Sequence, residues 1–475
     1  MTDRIPEADG RPVPGGRDRY RAALNGLYRR RRFGLRPGLE RIRGLLEALG
    51  HPERTYPAVH ITGSKGKGSV AAMTAAILSA HGLRTGRFTS PHLASYRERI
   101  QIDGRSIGAR EVVAGVERVD AAAQRLEATG TIDHAPTFFE VTTAIALDWF
   151  ARRRVDAAVV EVGMGGRLDS TNVLDARVGV VTTIELEHTE LLGSTRSAIA
   201  REKSGIFHPG MTGVVGELPP DALATVEAEA GRLGVPLWRL GTEVRVDERR
   251  LDAEGQTFRV RVPGATFDAV RLPLLGRFQP GNAALAIGAA VRFAAATGRS
   301  IDPDRVRAGL ADVRWRGRLE RVARRPELYY DVAHTPESAR AVAQSLAEIA
   351  PLADPSECAI VFGVLRGKDV ERILDALAPL ARTLVVVPVR SERAVPPAEL
   401  RVAGVGRFPR IVLAPDVEQG VRVARAATGP DGFTLVVGSD YLIGELVRRE
   451  GAAPDEPDLS DPGTESVPAV GGRQS

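Results

Sequence analysis

The chain has 475 residues, with 65 Lys and Arg against 60 Asp and Glu, a net charge of +5 and a single cysteine, Cys358. That length exceeds what one hydrophobic core ordinarily fills, so two domains are expected, and one thiol excludes both an internal disulfide framework and a thiolate zinc cluster, which fits a reducing cytoplasm. No apolar run reaches the roughly 18 residues of a membrane span, and the N-terminus lacks the apolar stretch of a secretory signal, so neither a membrane partner nor export is expected.

In chain order, residues 1–18 are rich in Pro, Gly and charge and read as a disordered tail. The densest basic run, Arg29 to Arg32, reads as a solvated helix face. It has no interleaved aromatic platform, so no nucleic-acid partner is expected, although an anionic small molecule would benefit from the same field. Continuous apolar runs predict strands at Ala58–Ile61, Ala157–Val162, Val178–Thr183, Leu328–Asp331, Ala359–Phe362, Thr383–Val387 and Thr434–Val437. Strands covered on both faces have this character. Helical patterns fall between them at Ser69–His81, Pro136–Arg153, Ser194–Ser204, Asn282–Thr297 and Pro336–Ile349. The alternation predicts an α/β fold of two doubly wound units. Short alternating runs from Leu240 to Leu275 suggest a β-appendage. The boundary is placed near Asp312, giving domains 19–312 and 313–450, followed by an acidic disordered tail over 451–475.

The strongest motif is His60-Ile61-Thr62-Gly63-Ser64-Lys65-Gly66-Lys67-Gly68-Ser69, between a predicted strand and a predicted helix. Its glycines let several backbone N–H groups face one anion, the helix adds its positive end, and Lys67 can reach the β- and γ-phosphates. It departs from the strict phosphate-loop pattern, since Gly68 stands where a magnesium-binding hydroxyl is usual and Ser69 follows. The competing reading is a glycine-rich turn with two solvated lysines.

Further chemistry sits at strand ends. Glu161 lies in an apolar strand before a glycine turn, where an unpaired carboxylate is costly. It reads either as a magnesium ligand or as a structural carboxylate bonded to backbone amides. His188 and Lys203 follow the next strand, and taken alone each reads equally well as an ordinary loop or surface residue. Arg318, in Trp315-Arg316-Gly317-Arg318, can bridge two domains onto phosphate oxygens or serve as a linker ion pair. Asp331 and His334, beyond a strand and before a helix, occupy a crevice position or a capping turn.

Taken together these residues resemble the folylpolyglutamate synthase and dihydrofolate synthase family of the Mur ligase superfamily. The likeness is colinear from about Tyr20 to Val447. It takes in Gly34–Ile42, the phosphate loop, Thr89-Ser90-Pro91-His92-Leu93 with Glu98-Arg99-Ile100, and Glu161–Asn172. It continues through Leu191-Leu192-Gly193, Lys203–Ile206, Gln279 with Asn282, Arg318-Leu319-Glu320, Asp331, His334 and Gly438-Ser439.

The resemblance implies a phosphate-loop ATPase-like domain and a smaller Rossmann-like C-terminal domain in a monomeric enzyme using ATP and Mg2+. Such an enzyme joins L-glutamate to dihydropteroate or a folate through an acyl phosphate. It also implies site roles. Gly63, Ser64, Lys65, Gly66, Lys67, Gly68, Ser69, Asn282, Arg318, Asp331 and His334 would hold the nucleotide, and Ser90, Glu161 and His188 the metal. Pro91, His92, Leu93 and Arg99 would meet the pterin-bearing substrate. Lys67, Lys203 and His188 would be catalytic, Lys203 matching a lysine that is carbamylated in relatives. Four departures stand out: Glu187 for the usual Asp, Phe278 where His is common, and Val332 and Thr335 within the usual Asp-Gly-Ala-His-Asn-Pro turn. The alternatives are another Mur-type amide ligase, or a non-catalytic paralogue that binds nucleotide or folate.

Overall fold

The computed structural model describes residues 4–5, 13–14, 16–34, 37–252, 254–350 and 353–452. Most of both expected tails lies outside these residues, as do Leu35 and Arg36 of the Gly34–Ile42 motif. Arg4–Ile5 pairs antiparallel with Val13–Pro14, and the first helix begins at Gly16.

Eight strands form the first sheet, in the order Leu237–Arg239, Thr212–Val215, Ala176–Val181, Ala58–Thr62, Ala157–Glu161, Thr85–Phe88, Ile100–Ile102 and Arg105–Ser106. All are parallel through Thr85–Phe88, and the last two run antiparallel. The strands Ala58–Thr62 and Ala157–Glu161 are buried along their whole length, which is why they read as unbroken apolar runs. On one face, the helices Lys67–Ala80 and Gln279–Ala296 pack together and against the sheet through alanines and branched aliphatics, with Val70, Ile77, Ala286 and Ile287 fully buried. The expected β-appendage is a three-stranded antiparallel sheet, Arg245–Asp252, Gly255–Val262 and Ala265–Leu272. It lays Phe258, Val260, Phe267 and Val270 onto that same core. The other face is covered by a second cluster that includes Leu24, Leu45, Val112, Ile145 and Phe150.

The C-terminal sheet has six strands, in the order Glu320–Arg324, Glu327–Asp331, Phe433–Val437, Ala359–Phe362, Thr383–Val386 and Arg410–Leu413. Only the first is antiparallel to its neighbour. Cores lie on both of its faces. Thr85–Phe88, interior to the first sheet, is not among the strands that the sequence predicts. Its run Thr-Gly-Arg-Phe carries a glycine and an arginine, so periodicity hides it. Gly86 is required there because a Cβ would strike the Phe150 ring.

Topology builds the site. Four adjacent parallel strands of the first sheet, Ala176–Val181, Ala58–Thr62, Ala157–Glu161 and Thr85–Phe88, end on one edge. Their following loops carry His188, the phosphate loop, the Gly163–Asn172 turn and Ser90. In open α/β sheets that edge is the ligand crevice. Two adjacent strands of the second sheet, Glu327–Asp331 and Phe433–Val437, end in Val332–His334 and Gly438–Asp440, which face the same cleft.

Candidate active site

The cleft between the two sheets has a volume of 450 Å³. Its walls bring together Ser64 to Ser69, Ser90, Pro91, Glu161, His188, Asn282, Arg318, Asp331 and His334, residues spread across some 270 positions of sequence. Gly63 is behind this surface, as is Lys203, which is buried.

The phosphate loop is clamped from the neighbouring strand. Ser64 N–H donates to the Thr183 carbonyl and Lys65 N–H to Thr183 Oγ1, both at 2.8 Å. Thr182 Oγ1 donates back to the Lys65 carbonyl at 2.5 Å. Gly63 adopts φ 140° directly against Thr182, where any Cβ would collide with Oγ1. Gly66 has φ 84°, and its Cβ would meet Asn282 Oδ1. Lys67 begins the helix and folds its Nζ onto the Gly63 carbonyl at 2.8 Å, close to the anion it is expected to meet. The threonine clamp escaped the sequence reading because two threonines at a strand end carry no local signal.

Glu161 is buried, and its Oε2 accepts the Ser90 backbone N–H at 2.9 Å. Burial pushes its carboxyl up, against the pull of Lys67, the Ser90 amide, Arg318 and Arg99. His188 begins a short helical turn at φ 46° and stays exposed. Partial desolvation by the loops around its ring lowers its basicity; nearby Lys203, Lys368 and Lys67 add to this and Glu187 opposes it. Among the described residues no three His, Cys, Asp or Glu side chains converge as a closed metal cage. One buried carboxylate beside a serine on an open cleft is an oxygen donor set that fits Mg2+, which keeps water and takes its remaining ligands from phosphates.

Lys203 is the least exposed cation of the site. Its Nζ donates to Glu187 Oε1 at 2.9 Å. Burial, reinforced by Lys67, holds the ammonium down at about 8 even though Glu187 opposes the shift. Glu187 is itself driven upward by burial, but Lys203 and Lys67 overcome this and hold it at about 2. The departure at 187 therefore supplies an ion-pair partner for Lys203.

In the second domain, the Asp331 carboxylate is engaged by two backbone amides of neighbouring turns. Oδ2 accepts Leu319 N–H and Oδ1 accepts Ala333 N–H, each at 2.7 Å. It shapes the turn that presents Arg318 and His334 while lining the cleft. His334 donates Nδ1–H to the Val332 carbonyl at 2.8 Å, which leaves Nε2 for a ligand. The other departures have structural roles. Thr335 caps the helix Pro336–Ile349 in a reciprocal pair with Ser338, Val332 is buried and bonds Gly317, and Phe278 lines the cleft ahead of the helix that carries Asn282.

The Ser90–Arg99 segment divides in two. Pro91 and Leu93 face a neighbouring cavity, Pro91 lining the cleft as well, whereas His92 and Arg99 are buried and bonded to each other, Arg99 Nε donating to His92 Nδ1 at 2.7 Å. Burial and the Arg99 charge keep His92 neutral. Arg99 also lies 5.3 Å from the Phe138 ring centre, and Phe138 stacks on Tyr28. Phe138, Phe139, Met164 and Leu192 line an adjoining cavity of 410 Å³.

A doubly wound domain with a phosphate loop, closed by a second α/β domain that presents arginine and histidine to the same cleft, defines an ATP-dependent carboxylate–amine ligase. Residues 61–290 match the family model of the Mur ligase middle domain, and residues 317–440 match that of the Mur ligase glutamate ligase domain. The dihydrofolate synthase/folylpolyglutamate synthase of Mycobacterium tuberculosis is 39% identical over 414 residues, covering 83% of this chain and 84% of that protein. Folylpolyglutamate synthase of Mycobacterium tuberculosis complexed with ADP superposes with a TM-score of 0.85 at 35% identity, over 92% of this chain and 99% of that one. A folylpolyglutamate synthase–AMPPCP–folate complex superposes at 0.78 with 32% identity, over 91% of this chain and 99% of that one. The chain belongs to the folylpolyglutamate synthase/dihydrofolate synthase family of Mur ligases. Among the described residues, no helix is long and apolar enough to cross a membrane.

Proposed function

We propose that the chain joins L-glutamate to dihydropteroate or a folate in two steps on one ATP. The observation that carries this reading is a polar cleft around the phosphate loop that neighbours, at the consecutive residues Gly163 and Met164, an aromatic cavity lined by Phe138 and Phe139. The substrate carboxylate attacks the γ-phosphorus, the bond to the bridging oxygen breaks, and ADP leaves. The amine of glutamate then attacks the acyl carbon, a C–N bond forms, and phosphate departs while the amine gives up a proton.

Backbone amides of Gly66 to Ser69 and the Lys67 ammonium face the triphosphate, and Asn282, Phe278 and His334 flank its adenosine end. Arg318 reaches the phosphoryl group from the second domain. Ser90 and Glu161, with His188 at the rim, would hold Mg2+, which when bound neutralises charge on the transferring phosphoryl group. The pterin stacks in the cavity lined by Phe138 and Phe139, supported from beneath by His92 and Arg99. Lys203, whose neutral form is accessible near pH 8, captures carbon dioxide with loss of a proton. The resulting carbamate orients the site beside Glu187. Both walls of the cleft come from one chain, in keeping with a working monomer. The use of ATP and the lone reduced Cys358 are in keeping with the cytoplasm.

The test is glutamate-dependent ADP release with magnesium and ATP, comparing dihydropteroate with tetrahydrofolate. Turnover of either supports the reading and assigns the substrate. ATP binding without turnover of either overturns it.

A further inference from the structure

A third cavity, of 350 Å³, adjoins the nucleotide cleft and has no occupant in the assignment above. It lies between the strand Thr85–Phe88, the turn Tyr96–Arg99 and the linker 314–318. Five arginines line it: Arg87, Arg97, Arg314, Arg316 and Arg318. Arg316 is neutralised by Glu320 and Glu450, at 3.0 and 2.7 Å. The other four have no carboxylate within 4.0 Å among the described residues. Arg97 spends its Nε on the Ile107 carbonyl at 2.6 Å, a neutral acceptor. Arg87 donates one terminal N–H to Gln101 Oε1 at 2.5 Å, its Nε is buried without an acceptor, and its guanidinium sits 5.0 Å over the Trp315 ring. Trp315 packs in turn against Gly68 at the start of the phosphate-loop helix.

Two acids also line the cavity. Glu98 points its oxygens at backbone amides, accepting from Leu93, Ala94 and Ser95 at 2.9, 3.0 and 2.7 Å, while its charge, with that of Glu161, acts on Arg87 from a distance. Asp440 lies at the junction with the cleft, and Pro91, Arg318 and Asp440 line both spaces. The cavity therefore joins the cleft at Pro91, Arg318 and Asp440, and Phe278 lines the cleft alone. A cluster of guanidinium groups, four of them without a direct carboxylate partner and gathered beside an aromatic ring, is suited to carboxylates.

We propose that this cavity is a carboxylate subsite for a glutamyl unit, with Arg87, Arg97 and Arg314 receiving its carboxylates and Pro91 and Arg318 guiding its reactive end toward the acyl carbon. The proposal rests on the ligase reading. The occupant is the incoming L-glutamate; the γ-glutamyl tail of the acceptor carries the same carboxylates and is the other possible source.

Arg97→Gln and Arg314→Gln, singly and combined, test it in the full-length protein. Both residues lie outside the apolar core, so the fold should survive substitution. The readouts are ADP release against L-glutamate concentration with mono- and triglutamylated acceptors, and calorimetric binding of L-glutamate to protein saturated with a non-hydrolysable ATP analogue. The double variant is expected to raise KM for glutamate about tenfold or more, with calorimetric affinity falling in parallel and kcat and KM for ATP held within about twofold. Unchanged glutamate affinity with selective loss of the triglutamylated acceptor also supports the subsite and assigns the tail as its source. If neither changes, the subsite is overturned. Wild-type turnover tests the ligase reading separately, because calorimetric binding reads the cavity whether or not the enzyme turns over.

Discussion

Glu161 and Ser90 are 71 residues apart in sequence, yet Glu161 Oε2 accepts the Ser90 backbone N–H at 2.9 Å, joining the ends of two adjacent parallel strands. Both residues line the nucleotide cleft, which shares Pro91 with the basic cavity and neighbours the aromatic cavity at the consecutive residues Gly163 and Met164. A buried carboxylate here is costly unless a cation or a donor compensates it.

Glu161→Gln is expected to lower kcat by about 100-fold or more while the fold is retained, since an amide oxygen still accepts the Ser90 amide. The magnesium concentration required for half-maximal ADP release should rise in the same variant. Steady-state kinetics across a magnesium titration would check both, and an unchanged magnesium requirement would remove Glu161 from the metal site.

Lys203 gives a pH dependence with a defined sign. Its native value of about 8 lies below the ordinary 10.5, so below about pH 8 both states are protonated and the full cost of the buried ammonium is present. Between about pH 8 and 10.5 the unfolded chain holds more protons, and this group makes stability rise with pH. Lys203→Met should flatten the stability curve across that window, as read by denaturant melts at either end.

Glu187 opposes the depression of Lys203, so its removal acts on the same group. Glu187→Gln is expected to shift the lysine below about 8 and move the acidic limb of the pH–rate profile to lower pH. An unshifted limb would separate Lys203 from the rate-determining ionisation.

Asp331 behaves in the opposite sense to a salt-bridged carboxylate. Burial, only partly offset by Arg318 and the two backbone amides, pushes it up to about 6. Below its ordinary 3.8 both states are neutral; from there to about 6 the unfolded chain ionises first, so this group makes stability fall as pH rises. Asp331→Asn should abolish that component in thermal melts between about pH 4 and 6. It should also weaken ATP binding by loosening the Leu319–Ala333 turn.

Gly63→Ala places a methyl group against Thr182 Oγ1 at φ 140°. The strained backbone alone costs about 1–3 kcal/mol, and the collision adds to it. A lowered Tm together with lost ATP-induced stabilisation is expected in scanning calorimetry.

Much of the fold and of the site was legible in sequence. Doubly covered strands such as Ala157–Glu161 read as local apolar runs, and glycine spacing marked the phosphate loop. Both signals survive because their cause lies within a few residues of chain. Thr85–Phe88 was not legible, since its place in the sheet depends on Phe150 packing over Gly86 from another element. The pairing of Lys203 with Glu187, the engagement of Asp331 by Leu319 and Ala333, and the burial of His92 with Arg99 were hidden for the same reason.

By itself, then, the sequence determined the α/β class, the strand-end positions of the chemical groups and the family likeness, because periodicity, glycine geometry and residue type act locally. Tertiary structure alone decided which loops meet, which charges are compensated and which arginines remain free to receive a ligand. Burial and Coulomb interaction depend on distances through space, and these are set only when two sheets close on one cleft.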